Sequence, residues 1–270
     1  MRPLVVGAAG LAAAVATATL VGLSAAGDGG AAAAPPAPAR PATATAAPLV
    51  PVPPCWIGGP DGDVFLTSDQ AKVLTTAAVA AVRRKDPQAR LAAAVAVALD
   101  QPADVSGRLA QTLLGAGRAT RLSCQVFRDT VQPEKAGRSG LTPRAQRLRR
   151  AWTELFGALP AGGFASGGVR TGHVDDSSHY EGRAMDVFFR PVGDAAQTRR
   201  GWVFAQWVAA HADDYDVLSV IYADHIWTSW ASSSGWRDYV HPSGNRRNAV
   251  LRHLDHVHVA VESGRPHRPR

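Results

Sequence analysis

Cysteine is nearly absent. Among 270 residues there are only Cys55 and Cys124, and neither belongs to a CxxC pair. A cysteine-built zinc site is therefore excluded. The two thiols either form one bridge or stay separate and buried. Aromatic residues are also sparse, at 7%. The hydrophobic fraction is 46%, but alanine in the first fifty residues inflates it, so it overstates the core. Acidic residues are outnumbered by Lys and Arg, 22 to 29, for a net charge of +7. Such an excess suits any anionic polymer. Because the basic residues are dispersed, apart from the tail 265–270, and no nucleic-acid motif accompanies them, no nucleic-acid partner is expected. The absence of an internal repeat excludes a solenoid. The length allows one or two domains plus extensions.

Polar residues are missing from another stretch. Residues 3–26 are almost wholly apolar, follow Arg2 and end in Ser24, Ala25 and Ala26. This reads as a secretory signal, or as a membrane anchor if uncleaved. Either places the rest of the chain outside the cytoplasm, in the extracellular space or cell wall. Residues 27–54 consist largely of Ala, Pro, Thr and Gly with few large apolar side chains, which predicts an extended linker. In an oxidising compartment Cys55 and Cys124 are expected to pair. That bridge would add about 4 kcal/mol by restricting the unfolded chain.

Residues 55–138 predict a small helical unit. Thr67-Ser68-Asp69-Gln70 forms a capping box, followed by Val73, Leu74, Ala77, Ala78, Ala81 and Val82 at helical spacing. Asp86-Pro87 stops this helix. Further helices are expected at about 90–99 and 106–114. Asp100 reads as a helix-end residue. Downstream, Thr142-Pro143 opens a helix carrying Leu148, Trp152, Leu155 and Phe156 on one face. Residues 183–189 read as a strand, 195–210 as an amphipathic helix, and 217–222 with 226–228 as a hairpin turning at Ala223-Asp224. The order predicts an α+β domain with an antiparallel sheet.

Two motifs carry chemistry. Residues 177–186 follow the frame S-x-H-x-x-G-x-A-x-D, with Ser177, His179, Gly182, Ala184 and Asp186. A histidine before a glycine turn and a carboxylate inside the next strand can meet at one point. Residues 253–259 read His-Leu-Asp-His-Val-His-Val. On a strand His256 and His258 face one side, while Val257, Val259 and Val261 face the core. Two imidazoles on a buried face call for a partner or a metal. His179, Asp186 and His258 supply three N/O donors, the arrangement of a catalytic zinc site with one open position. Water there would have its pKa lowered toward about 7. His173, His211, His225, His241 and His253 read as surface or hydrogen-bonded residues. Trp227, Trp230, Trp236 and Tyr239 read as packing, with some available to line a peptide groove.

The ordered pair of motifs resembles the D-Ala-D-Ala carboxypeptidase family, within the wider LAS metallopeptidase group that includes lysostaphin and hedgehog. The resemblance covers residues 139–264 and is nearest to secreted actinobacterial proteins. It implies a hedgehog/DD-peptidase-like sheet with flanking helices, Zn2+ held by His179, Asp186 and His258, and hydrolysis of peptidoglycan peptides. It implies an acid three residues before the last ligand, here Asp255, or the first histidine of H-x-H, here His256, as general base. Both stay open. Arg170, in Ser166-Gly167-Gly168-Val169-Arg170, matches a stretch that supplies a substrate-binding arginine. A metal-bearing wall-binding module without peptidase activity is the alternative, since fold does not dictate function.

Overall fold

The computed structural model describes residues 54–59, 62–115, 121–127 and 131–264. The apolar segment 1–26, all but the last residue of the linker 27–54, and the basic tail 265–270 lie outside the described residues. Among the described residues, no helix is long and apolar enough to cross a membrane.

The chain is an α+β protein with antiparallel sheets. Strand β1 (Cys55–Gly59) pairs with β2 (Gly62–Leu66) on one side and with β3 (Ser123–Cys124) on the other. Cys55 and Cys124 lie opposite each other in that register and form a disulfide. The alternative of two separate thiols is thereby removed.

Helix α1 (Ser68–Ala81) starts at the expected capping box. The Gln70 amide donates to Thr67 Oγ1 at 3.2 Å, and the Thr67 amide donates to Gln70 Oε1 at 2.9 Å. Pro87 opens helix α2 (Pro87–Leu99), ahead of the expected start at residue 90. Proline costs nothing there, because the first helical position has no intrahelical partner for its N–H. Asp100 caps the end of α2 at φ 51°, matching its reading as a helix-end residue. Helix α3 (Ala103–Leu113) follows, likewise starting earlier than the predicted residue 106.

Helix α4 (Pro143–Phe156) begins with Thr142 Oγ1 accepting from the Ala145 amide. A second sheet is then built from β4 (Ala161–Gly162), β5 (Ala184–Phe188), β6 (Val217–Tyr222), β7 (His225–Thr228), β8 (Arg237–Asp238) and β9 (His256–Val261). Its spatial order is β4-β5-β9-β6-β7-β8. The last strand in sequence thus inserts between β5 and β6. Val257, Val259 and Val261 are fully buried. Each contributes about 1.5–3 kcal/mol of burial, which pins the alternation that sends His256 and His258 to the opposite face.

Helix α5 (Ala195–Ala210) was expected to bury one stripe. Instead every residue from Gly201 to Ala210 is buried. The helix packs on β6 and β9 and also against α1 and α3, so no side of its second half meets water. The short α6 (Ala212–Tyr215) leads into β6. Buried Gln206 ties these parts together: its amide nitrogen donates to the Leu113 carbonyl at 2.8 Å, and its oxygen accepts from the Leu122 amide at 3.0 Å. The helical segment and the six-stranded sheet belong to one compact unit and share one hydrophobic core.

Candidate functional site

Strands β5 and β9 are neighbours, and their register sets Asp186 directly opposite His258 and Phe188 opposite His256. The frame expected from the sequence is therefore realised across one strand pair. His179 comes to the same point from the loop before β5. Gly182, at φ 67°, makes the turn between them, and its amide donates to the His179 carbonyl at 3.1 Å.

The three side chains converge closely. His179 Nε2 lies 3.3 Å from Asp186 Oδ1 and 3.1 Å from His258 Nδ1, while His258 Nδ1 lies 3.1 Å from Asp186 Oδ1. His179 Nδ1 sits 2.8 Å from the Gly163 carbonyl. A carbonyl only accepts, so Nδ1 carries the proton and Nε2 presents a lone pair. With neutral imidazoles, the single proton on His258 Nδ1 cannot serve all three contacts, and one pair of acceptors is left facing each other. A cation relieves that conflict. Ligands about 2.0–2.1 Å from a tetrahedral ion are separated by about 3.3–3.4 Å, close to the spacings found. The chemistry of the donor set fits a divalent metal.

His173 joins the cluster, although its sequence context gave no sign of it. Donor atoms of His173, His179 and Asp186 all lie within 4.8 Å of one another, and this group could hold a metal ion. The His173 and His179 rings stack at 3.8 Å.

Electrostatics bear the marks of a buried charged site. For Asp186, burial pushes the pKa upward, but the His179 and His258 imidazoles beside it outweigh burial and hold the carboxyl well below the ordinary carboxylate range. Burial lowers the pKa of His258 and of His253. Neutral imidazole is the form that binds metal.

His256 is placed differently. Its Nδ1 lies 2.7 Å from Asp255 Oδ1, so the proton sits there and Nε2 turns toward the cluster, 3.7 Å from Asp186 Oδ1. Asp255 itself is buried and points away from that focus. Its Oδ2 accepts from Arg190 Nε at 2.9 Å and Nη2 at 2.6 Å. Burial pushes the Asp255 carboxyl upward, but bonds from His256 and Arg190 bring it below its usual value. Of the two residues considered as base, His256 has the free nitrogen at the site, and Asp255 orients it.

A cavity of about 660 Å³ opens over these groups, lined by His173, His179, Asp186, His256, His258 and Arg190 among others. Arg170 is not among its lining residues. It is exposed and borders a separate depression with Gly167, Gly168, Val169 and Tyr180. The arginine on the main cavity is Arg190, which stacks over Phe188 at 4.2 Å. Arg190 lies two residues past the end of β5, beyond the reach of strand alternation. His253 was set aside in the sequence but is buried beside His256, with ring centroids 4.7 Å apart. Its left-handed backbone, φ 53°, falls outside any strand period. Tyr239 also lines the cavity and meets His253 edge-on.

The family model described as VldE, C-terminal domain matches residues 137–250. The match takes in His173, His179, Asp186 and Arg190, stops before β9, and covers less than half of the chain. No curated protein and no solved structure matches the chain.

Proposed function

We propose that the protein is a zinc-dependent peptidase of the D-Ala-D-Ala carboxypeptidase or endopeptidase type, exported and acting on peptidoglycan peptides. The observation that carries this reading is the triangle of His179 Nε2, Asp186 Oδ1 and His258 Nδ1, with edges of 3.1–3.3 Å, beside a histidine whose second nitrogen is free. These three residues would hold the ion. The Cys55–Cys124 disulfide suits the oxidising side of a membrane.

When bound, zinc supplies Lewis acidity and brings the pKa of a coordinated water to about 7. The chain's own residues do the rest. His256 Nε2 takes a proton and later returns it to the leaving amine. Asp255 fixes the His256 tautomer through Nδ1 and stabilises the imidazolium once it forms. Arg190 holds Asp255 in place, and its half-exposed guanidinium faces the cavity, where it can meet a peptide carboxylate. His253 and Tyr239 close the wall of the cavity on the His256 side.

The test is digestion of purified peptidoglycan by the zinc-loaded chain, with mass spectrometry of released peptides. His256→Ala should retain zinc and lose about 10²- to 10⁴-fold in rate, whereas Asp186→Ala should lose the metal as well. Zinc retained with no peptide released by the unmodified chain would overturn the peptidase reading in favour of a metal-bearing wall-binding module.

A further inference from the structure

The loop 163–178 ahead of β5 does more than reach the ligand His179. We propose that His173 is a fourth, loop-borne ligand of the same ion, so that in the resting protein the ion is enclosed by protein donors and an incoming ligand must displace the His173 imidazole. This rests on the metal centre of the preceding reading.

Three observations point to it. First, His173 donor atoms lie within 4.8 Å of those of His179 and Asp186. Two ligands of one tetrahedral ion are about 3.4 Å apart, so the imidazole must close in as well as turn to share the ion. Second, its ring lies beside His179, with centroids 3.8 Å apart and planes 17° apart, so it reaches the ion by turning its edge toward it. Third, the backbone at His173 is held by a dedicated clamp. The Tyr180 hydroxyl accepts from the His173 amide at 3.0 Å and donates to the His173 carbonyl at 2.7 Å. Tyr180 adjoins the ligand His179 in sequence, so one side chain fixes the loop histidine relative to the metal point. The clamp acts on a surface loop whose neighbours Gly172 and Val174 are exposed. A ligand carried there can leave and return without disturbing the core.

Cobalt(II) loaded into the purified chain reports the coordination sphere through its visible spectrum, with azide as the external ligand. The unmodified chain should bind one equivalent and respond weakly to azide. His173→Ala should show an altered spectrum, a clear azide response, and faster loss of cobalt to a chelator. Tyr180→Phe, which keeps the ring and removes the clamp, should release cobalt about 10- to 100-fold more readily, as expected when the support of a ligand is lost. Cobalt bound by His173→Ala with unchanged spectrum, azide response and release rate would overturn the role of His173 while leaving the three-residue site intact. An unmodified chain that takes up no cobalt would overturn both.

Discussion

Gly163 shows how tightly single residues constrain the site. Its carbonyl accepts from His179 Nδ1, its φ is 76°, and a Cβ at that position would overlap the His179 ring and crowd Asp186. Gly163→Ala should therefore cost about 1–3 kcal/mol from backbone strain alone and weaken metal binding, because the His179 ring must tilt. Chemical denaturation read together with a metal titration checks this; unchanged metal affinity would mean that the ring has room to adjust. The residue scale is also where sequence reasoning met its limits. His179, Asp186 and His258 were legible because spacing and alternation encode them. Arg190 was not legible, because it lies past the end of β5 where alternation stops. His173 and His253 were not legible, since a loop and a left-handed turn place them through tertiary contacts that no local period records. Arg170 illustrates the reverse: a local motif suggested a role at a site its side chain does not line.

The elements followed local chemistry where local chemistry was strong. The Thr67 capping box, the Thr142-Pro143 start and the buried valines of β9 all appear in the structure as the sequence predicts. Helix α5 departs from its expected single stripe because its environment is two-sided, a fact held by α1, α3 and the sheet and absent from its own sequence. Likewise nothing local announces that the two motifs, whose Asp186 and His258 stand 72 residues apart, meet through insertion of β9 between β5 and β6. The disulfide closes the small sheet across a sequence separation of 69 residues. Replacing both Cys55 and Cys124 by serine should lower stability by about 4 kcal/mol while leaving metal stoichiometry at the distant β5–β9 pair unchanged. Equilibrium unfolding and metal analysis of the double variant measure the two effects separately. Loss of the metal together with the bridge would show that the two sheets are coupled more closely than their shared core implies.

For the molecule as a whole, buried histidines set the response to acid. Burial is the foremost cause that holds His211, His253 and His258 below the ordinary imidazole value. In the metal-free protein the unfolded chain takes up protons as the pH falls through about 6.5, whereas the folded chain resists until lower pH. Stability should consequently decline from pH 7 toward pH 5. The depressed carboxyls of Asp186 and Asp255 act in the same direction, but their contribution is lost only at more acid pH, below the ordinary carboxylate range. Urea midpoints measured in chelator across this range should fall with acidity; a flat profile would contradict the burial assigned to these rings. The central claim concerns what those neutral imidazoles are for. X-ray absorption at the zinc edge, on the chain loaded with one equivalent of zinc, tests it most directly. The account predicts a sulfur-free shell of nitrogen and oxygen at about 2.0–2.1 Å with clear imidazole scattering. A shell of oxygen alone, without imidazole, would contradict it.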